Sequence, residues 1–251
     1  MPKKSAMTEP IWNEIDERLK SEIAARKPSK TLVARAEKIA DILAQEFPEA
    51  DCALDYTTPW ELLMATILSA QCTDVRVNMV TPELRKKYKS LKAYAEAPEG
   101  ELEKDIHSTG FYNNKAKAIR ETARILLEKF NGEVPRDMEG LLQLRGAARK
   151  TANVVRMHAF RLPGIAVDTH YGRITQRLGL TNETDPEKIE FDTAALLPPE
   201  RWTKFADSVI LHGRKTCAAR SPKCEECALA ALCPSAGKVV TEPPAKKSKK
   251  G

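Results

Sequence analysis

Lys150 and Asp168 have the types and surroundings for covalent amine chemistry. Lys150 falls where a helix is expected to begin, beside the positive end of the helix dipole and next to Arg149. Both neighbours disfavour an ammonium and favour the neutral amine that a nucleophile must be. Asp168 lies beyond Pro163-Gly164, a turn that can fold it back toward the lysine. A carboxylate placed there can move protons and stabilise developing positive charge, so the pair suits attack on an electrophilic carbon. Taken one at a time, such residues are more often a surface lysine and a helix cap.

A second group is metal-binding in type. Cys217, Cys224, Cys227 and Cys233 form a C-x6-C-x2-C-x5-C run within one short segment. Disulfides do not suit a reducing compartment. By ligand type alone, four thiolates divide evenly between a structural zinc and an iron-sulfur cluster. Cys52 and Cys72 stand apart and read as free thiols.

The elements that must position the lysine are a helix, a tight turn and a helix. Met138, Leu141, Leu142 and Leu144 give helical spacing over Asp137–Leu144, Gly146 breaks it, and a second helix is expected over Arg149–Phe160. Arg145, Arg149, Lys150, Arg156 and Arg161 lie between Leu141 and Val167 without one Asp or Glu. Cations beside the open N–H groups of a helix start suit a phosphate oxygen. An ordinary helical hairpin carries the same local pattern.

Elsewhere the spacing predicts helices over Thr31–Phe47, Trp60–Ala70, Thr81–Tyr88, Ser90–Ala97, Glu99–Ser108, Asn114–Phe130, Tyr171–Leu178, Pro186–Leu196 and Pro199–Lys215. Thr58-Pro59-Trp60-Glu61 combines a capping box with proline at the first helical position. The apolar helix after it delivers Gln71 and Asp74, and Phe111-Tyr112-Asn113 forms a loop entering another helix. No segment alternates as a strand, so the expected fold is all-α.

At 251 residues the chain can bury a substantial core. Its +6 charge is distributed unevenly. Met1–Lys30 holds seven cations and five acids, and Gly237–Gly251 holds five cations and one acid, giving +2 and +4 and leaving the interior at zero. Affinity for nucleic acid must therefore come from local patches. No run of 18 apolar residues exists and MPKKSAMTEP lacks the apolar core of a signal peptide. The expectation is an intracellular, cytoplasmic monomer, nucleoid-associated if bacterial, without a membrane.

LRGAARKTANVV followed by VDTH resembles the helix-hairpin-helix, glycine, proline and aspartate signature of DNA glycosylases, and closely that of the endonuclease III family. The resemblance runs from about Leu54 to Cys233. It implies two helical modules with a cleft between them. Residues 51–162 would form a bundle with the hairpin, and residues 31–50 with 163–236 a discontinuous module with the cysteine loop. Residues 1–30 would be a flexible extension and 237–251 a basic disordered tail.

The resemblance also implies roles. Lys150 would attack C1′ of a damaged nucleotide's sugar, with Asp168 assisting. Gln71 would fill the space left by an everted base and Phe111 would wedge between bases. Asp74, Asn113, Arg145, Gly146, Ala148, Arg149 and His170 would be further DNA contacts. The cysteine spacing matches the family's [4Fe-4S] loop. The implied function is a base-excision-repair DNA glycosylase and AP lyase acting on oxidised pyrimidines in double-stranded DNA, or on abasic sites. The alternatives are a related glycosylase for mispaired T or U or for photodimers, and a non-catalytic damage binder.

One departure stands out. The family hairpin reads Leu-Pro-Gly-Val-Gly before Arg-Lys, whereas this chain has Leu144, Arg145, Gly146, Ala147 and Ala148. If the last position requires positive φ, alanine there is strained by about 1 kcal/mol or more. Loss of the proline leaves the unfolded turn freer, and Arg145 offers a compensating charge.

Overall fold

Polar caps start most of the helices and apolar spacing sets their buried faces. The computed structural model describes residues 12–238. Its helices are α1 Glu17–Ala25, α2 Lys30–Glu46, α3 Pro59–Leu68, α4 Asp74–Lys87, α5 Leu91–Ala95, α6 Glu101–Asp105, α7 Tyr112–Lys129, α8 Met138–Leu142, α9 Arg149–Ala159, α10 Thr169–Arg177, α11 Pro186–Ala194 and α12 Trp202–Lys215. Short 3-10 turns lie at His107–Thr109, Pro199–Arg201, Cys224–Glu226 and Ala230–Leu232. No strand occurs among the described residues, as an all-α fold requires. No helix among them is long and apolar enough to cross a membrane.

Ser29, Thr58, Thr73, Ser90, Asp137, Asp168 and Asp185 each accept a backbone N–H of the helix they cap. At α3 the expected capping box forms only in its first half, because the Glu61 side chain takes the amide one residue before the cap. Thr58 Oγ1 accepts from the Glu61 amide at 3.2 Å, and Glu61 Oε2 accepts from the Thr57 amide at 2.6 Å.

One boundary differs from the sequence reading. The helix expected to open at Thr81-Pro82 instead begins at Asp74 and carries Pro82 in its interior. An interior proline loses one hydrogen bond, and burial of Val77, Thr81 and Leu84 on the same helix offsets that loss.

By their contacts the residues divide into two units, one of residues up to Ser21 with Asp51–Ala166, the other of Glu22–Ala50 with Val167 onward. The first is built on α3, whose residues Leu62 to Leu68 are all buried and cluster with Ile106, Ile119, Leu126, Leu141 and Val155. In the second, α12 packs against α2 and α10. Tyr171 is fully buried there, edge-on to Phe205, and its hydroxyl donates to Thr193 Oγ1 at 2.9 Å. The segment expected as a flexible extension carries α1, with Ile15 and Leu19 buried one turn apart. The lysine-rich tail expected to be disordered lies outside the described residues, apart from its first two positions.

Thr58→Ala removes the side-chain cap of α3. It should lower unfolding free energy by about 1 kcal/mol in urea titration, with Thr58→Ser restoring most of it.

Candidate active site and metal centre

The hairpin turn is packed from beneath. α8 ends at Leu142, Gly146 turns the backbone at φ 81°, and α9 starts at Arg149. A Cβ on Gly146 would stand 3.4 Å from Ala118 of α7 and 3.4 Å from Ile67 of α3, an ordinary contact, so it is the left-handed turn that calls for glycine. Ala147 is buried, and Thr122 of α7 donates its hydroxyl to the Arg145 carbonyl at 2.7 Å. Ala148 is extended, at φ −63°, ψ 168°. The strain anticipated for alanine there is therefore absent, because Gly146 alone of the turn residues takes the left-handed conformation. As the cap of α9, Ala148 brings no side-chain acceptor to its first turn. That leaves the helix start suited to an external anion.

The cation-rich stretch is not the free positive patch that its local sequence suggests. Arg145 pairs with Glu121, Arg149 lies 3.6 Å from Asp16, and Arg161 lies 3.4 Å from Asp51. Arg156 is buried and donates to the carbonyls of Glu14 and Arg136. The acids come from distant parts of the chain, which a local window cannot show. Lys150 is exposed, in the first turn of α9, with no hydrogen-bond or ion-pair partner among the described residues.

Two loops of the same unit hold the residues expected to enter a duplex. Gln71 follows the end of α3, exposed, at φ 53°. Phe111 opens α7 at φ 48° and is 61% exposed, so it is not a core residue. Left-handed backbone is uncommon for such side chains, and two exposed cases beside the hairpin's packing partners mark these loops as specialised. Asp74 is the first residue of α4 and half-buried, and Asn113 is exposed in the first turn of α7.

Sequence reasoning passed over Lys115. It is 5% exposed, and its Nζ donates to the carbonyls of Leu68 at 2.8 Å and Thr109 at 2.7 Å. Burial pushes its pKa down. The signal was present, since Lys115 shares helical spacing with the buried Ile119, Thr122 and Leu126 of α7.

In the other unit, Asp168 caps α10, its Oδ1 accepting the Tyr171 amide at 2.8 Å, and is half-buried. It is thus the helix cap that the bland reading allowed, with its second oxygen available for other work. His170 faces Arg173, whose Nη2 lies 3.2 Å from the ring Nδ1.

Cys217, Cys224, Cys227 and Cys233 line one cavity with Ile174, Leu178, Leu229 and Ala230. Burial pushes the Cys227 and Cys233 thiols up, which disfavours free thiolates there unless a cation accompanies them. Arg177 donates to Cys217 Sγ at 3.3 Å, and the His212 ring lies 3.7 Å from Cys227 Sγ. Four cysteine thiols around one cavity are the donor set of a four-thiolate metal centre.

Residues 64–199 match the model of the HhH-GPD superfamily base excision DNA repair proteins. Endonuclease III of Synechocystis sp. is 56% identical over 80% of this chain and 93% of its own, and that of Bacillus subtilis is 45% identical over 77% and 89%. A solved endonuclease III–DNA covalent intermediate, trapped as an estranged-adenine complex, superposes with a TM-score of 0.79 at 43% identity, covering 82% of this chain and 97% of that one.

Two substitutions test the turn. Gly146→Ala should cost about 1 to 2 kcal/mol in denaturation. Ala148→Asp supplies the missing cap and should stabilise by about 1 kcal/mol while weakening duplex binding in a salt titration, since its carboxylate occupies the phosphate's place.

Proposed function

The chain belongs to the HhH-GPD superfamily and, within it, to the endonuclease III family, and we propose that it excises oxidised pyrimidines from duplex DNA and then cuts the strand 3′ to the abasic site. The observation that carries this reading is the exposed, unpaired amine of Lys150 at an uncapped helix start.

In the proposed reaction the damaged nucleotide leaves the stack, and Gln71 and Phe111 occupy the space it vacates, which lowers the cost of unstacking. Lys150 adds through its nitrogen lone pair to C1′ as the glycosidic bond breaks, and the base departs with the electron pair of that bond and gains a proton. Asp168 takes the proton lost by the amine and stabilises positive charge on the sugar. The C1′–O4′ bond then opens, O4′ taking with its electron pair the proton held by Asp168, and the iminium so formed acidifies the 2′ hydrogen. Its removal forms a double bond between C2′ and C3′ and expels the 3′ phosphate. The Asp168 cap bond to Tyr171 supports this role by fixing the carboxylate's orientation while using one oxygen.

Cys217, Cys224, Cys227 and Cys233 would hold a [4Fe-4S] cluster, whose iron-thiolate bonds staple the cysteine loop. Arg177 donates to the Cys217 sulfur, and the His212 ring lies beside that of Cys227. Arg214, Lys215, Arg220 and Lys223 in the same stretch would then meet phosphates.

The test is cleavage of a thymine-glycol duplex by wild type and Lys150→Gln. Wild type should cut and Lys150→Gln should lose about a thousandfold or more. Equal cutting by the two removes the assignment. A lesion panel covering mispaired uracil and photodimers fixes the preferred base. Purified protein should carry about four irons per chain, and Cys227→Ser should lower both iron content and melting temperature.

A further inference from the structure

A buried ammonium with no carboxylate partner is a costly way to fill space, because desolvation of the charge must be offset by whatever it donates to. Lys115 donates to only two groups among the described residues, the carbonyls of Leu68 and Thr109. Leu68 is the last residue of α3, where helix carbonyls lack partners and carry the negative end of the dipole. Thr109 closes the 3-10 turn before α7. Three residues past Leu68 is Gln71, and two past Thr109 is Phe111.

The intervening turns are tight. Cys72 N–H donates to the Ser69 carbonyl at 3.0 Å, Gly110 N–H to the His107 carbonyl at 3.2 Å, and the Lys115 amide itself to the Phe111 carbonyl at 3.1 Å. A shift of either anchoring carbonyl is therefore carried to the residue beyond it. Both of those residues are left-handed, a conformation that surrounding structure must impose. Resting on the proposed function, we propose that Lys115 is the positioning residue that ties the Gln71 and Phe111 loops into one rigid unit, so that the gap-filler and the wedge enter a duplex together.

The experiment compares the full-length chain with Lys115→Met, which fills the same space without donating, and Lys115→Arg, which keeps donors and charge. Single-turnover excision from a lesion duplex should fall between about tenfold and a hundredfold in Lys115→Met, the range expected for misplacing an orienting group. Borohydride trapping at an abasic site in single-stranded DNA, which has no opposing base to replace, should stay at the wild-type level. A 2-aminopurine opposite the lesion should brighten on binding wild type and not Lys115→Met, with Lys115→Arg between them. In a Gln71→Ala, Phe111→Ala background, adding Lys115→Met should cause no further loss.

Equal losses on both substrates, or a full additional loss in the triple variant, would make Lys115 merely structural and overturn the inference. Should Lys115→Met fail to fold, folded Lys115→Arg decides: a reduced 2-aminopurine response and duplex rate with single-stranded trapping intact supports the inference, and wild-type values in both overturn it. A wild-type chain that neither excises nor traps would instead defeat the functional reading on which this one stands.

Discussion

A helix start that is packed from below and open above is the condition on which the rest depends. Gly146 lets the hairpin backbone lie against Ile67 and Ala118, and Ala147 is buried beside it. The next turn then projects Lys150 into solvent while Arg149 is held by Asp16. Any other residue at the turn would be strained by the left-handed backbone there. Helix α3 ends at Leu68, three residues before Gln71, and α7 begins at Tyr112, directly after Phe111, so one packing arrangement sets the positions of Lys150, Gln71 and Phe111.

Charge is used sparingly. The cations around Lys150 are met by acids from elsewhere in the chain, so the stretch reads as basic in sequence and is largely neutralised in the fold. What remains for a phosphate is the uncapped start of α9 and one exposed amine. In the second unit the same economy holds a carboxylate by a single cap bond and places Arg177 and His212 beside the cysteine sulfurs.

Much of this was legible because it is local. Caps at Thr58, Ser90 and Asp137 and apolar spacing placed most helices within a few residues. Pro82 misled, because burial along α4 outweighs one lost hydrogen bond. The consequence of Ala148 could not be read from its type, since only the backbone angle decides whether alanine is strained. The partners of Arg149 and Arg145 lie far away in sequence, and Lys115 looked like one more surface lysine in a chain with 41 Lys and Arg residues. Its place on the apolar stripe of α7 was the overlooked sign.

The central claim is that the amine of Lys150, and no other, joins the sugar. It is tested most directly by reducing the protein-DNA adduct with borohydride on abasic duplex, digesting it and locating the sugar remnant by mass spectrometry. The account predicts the added mass on the peptide containing Lys150. A remnant on any other amine, including the chain's other lysines, would contradict it.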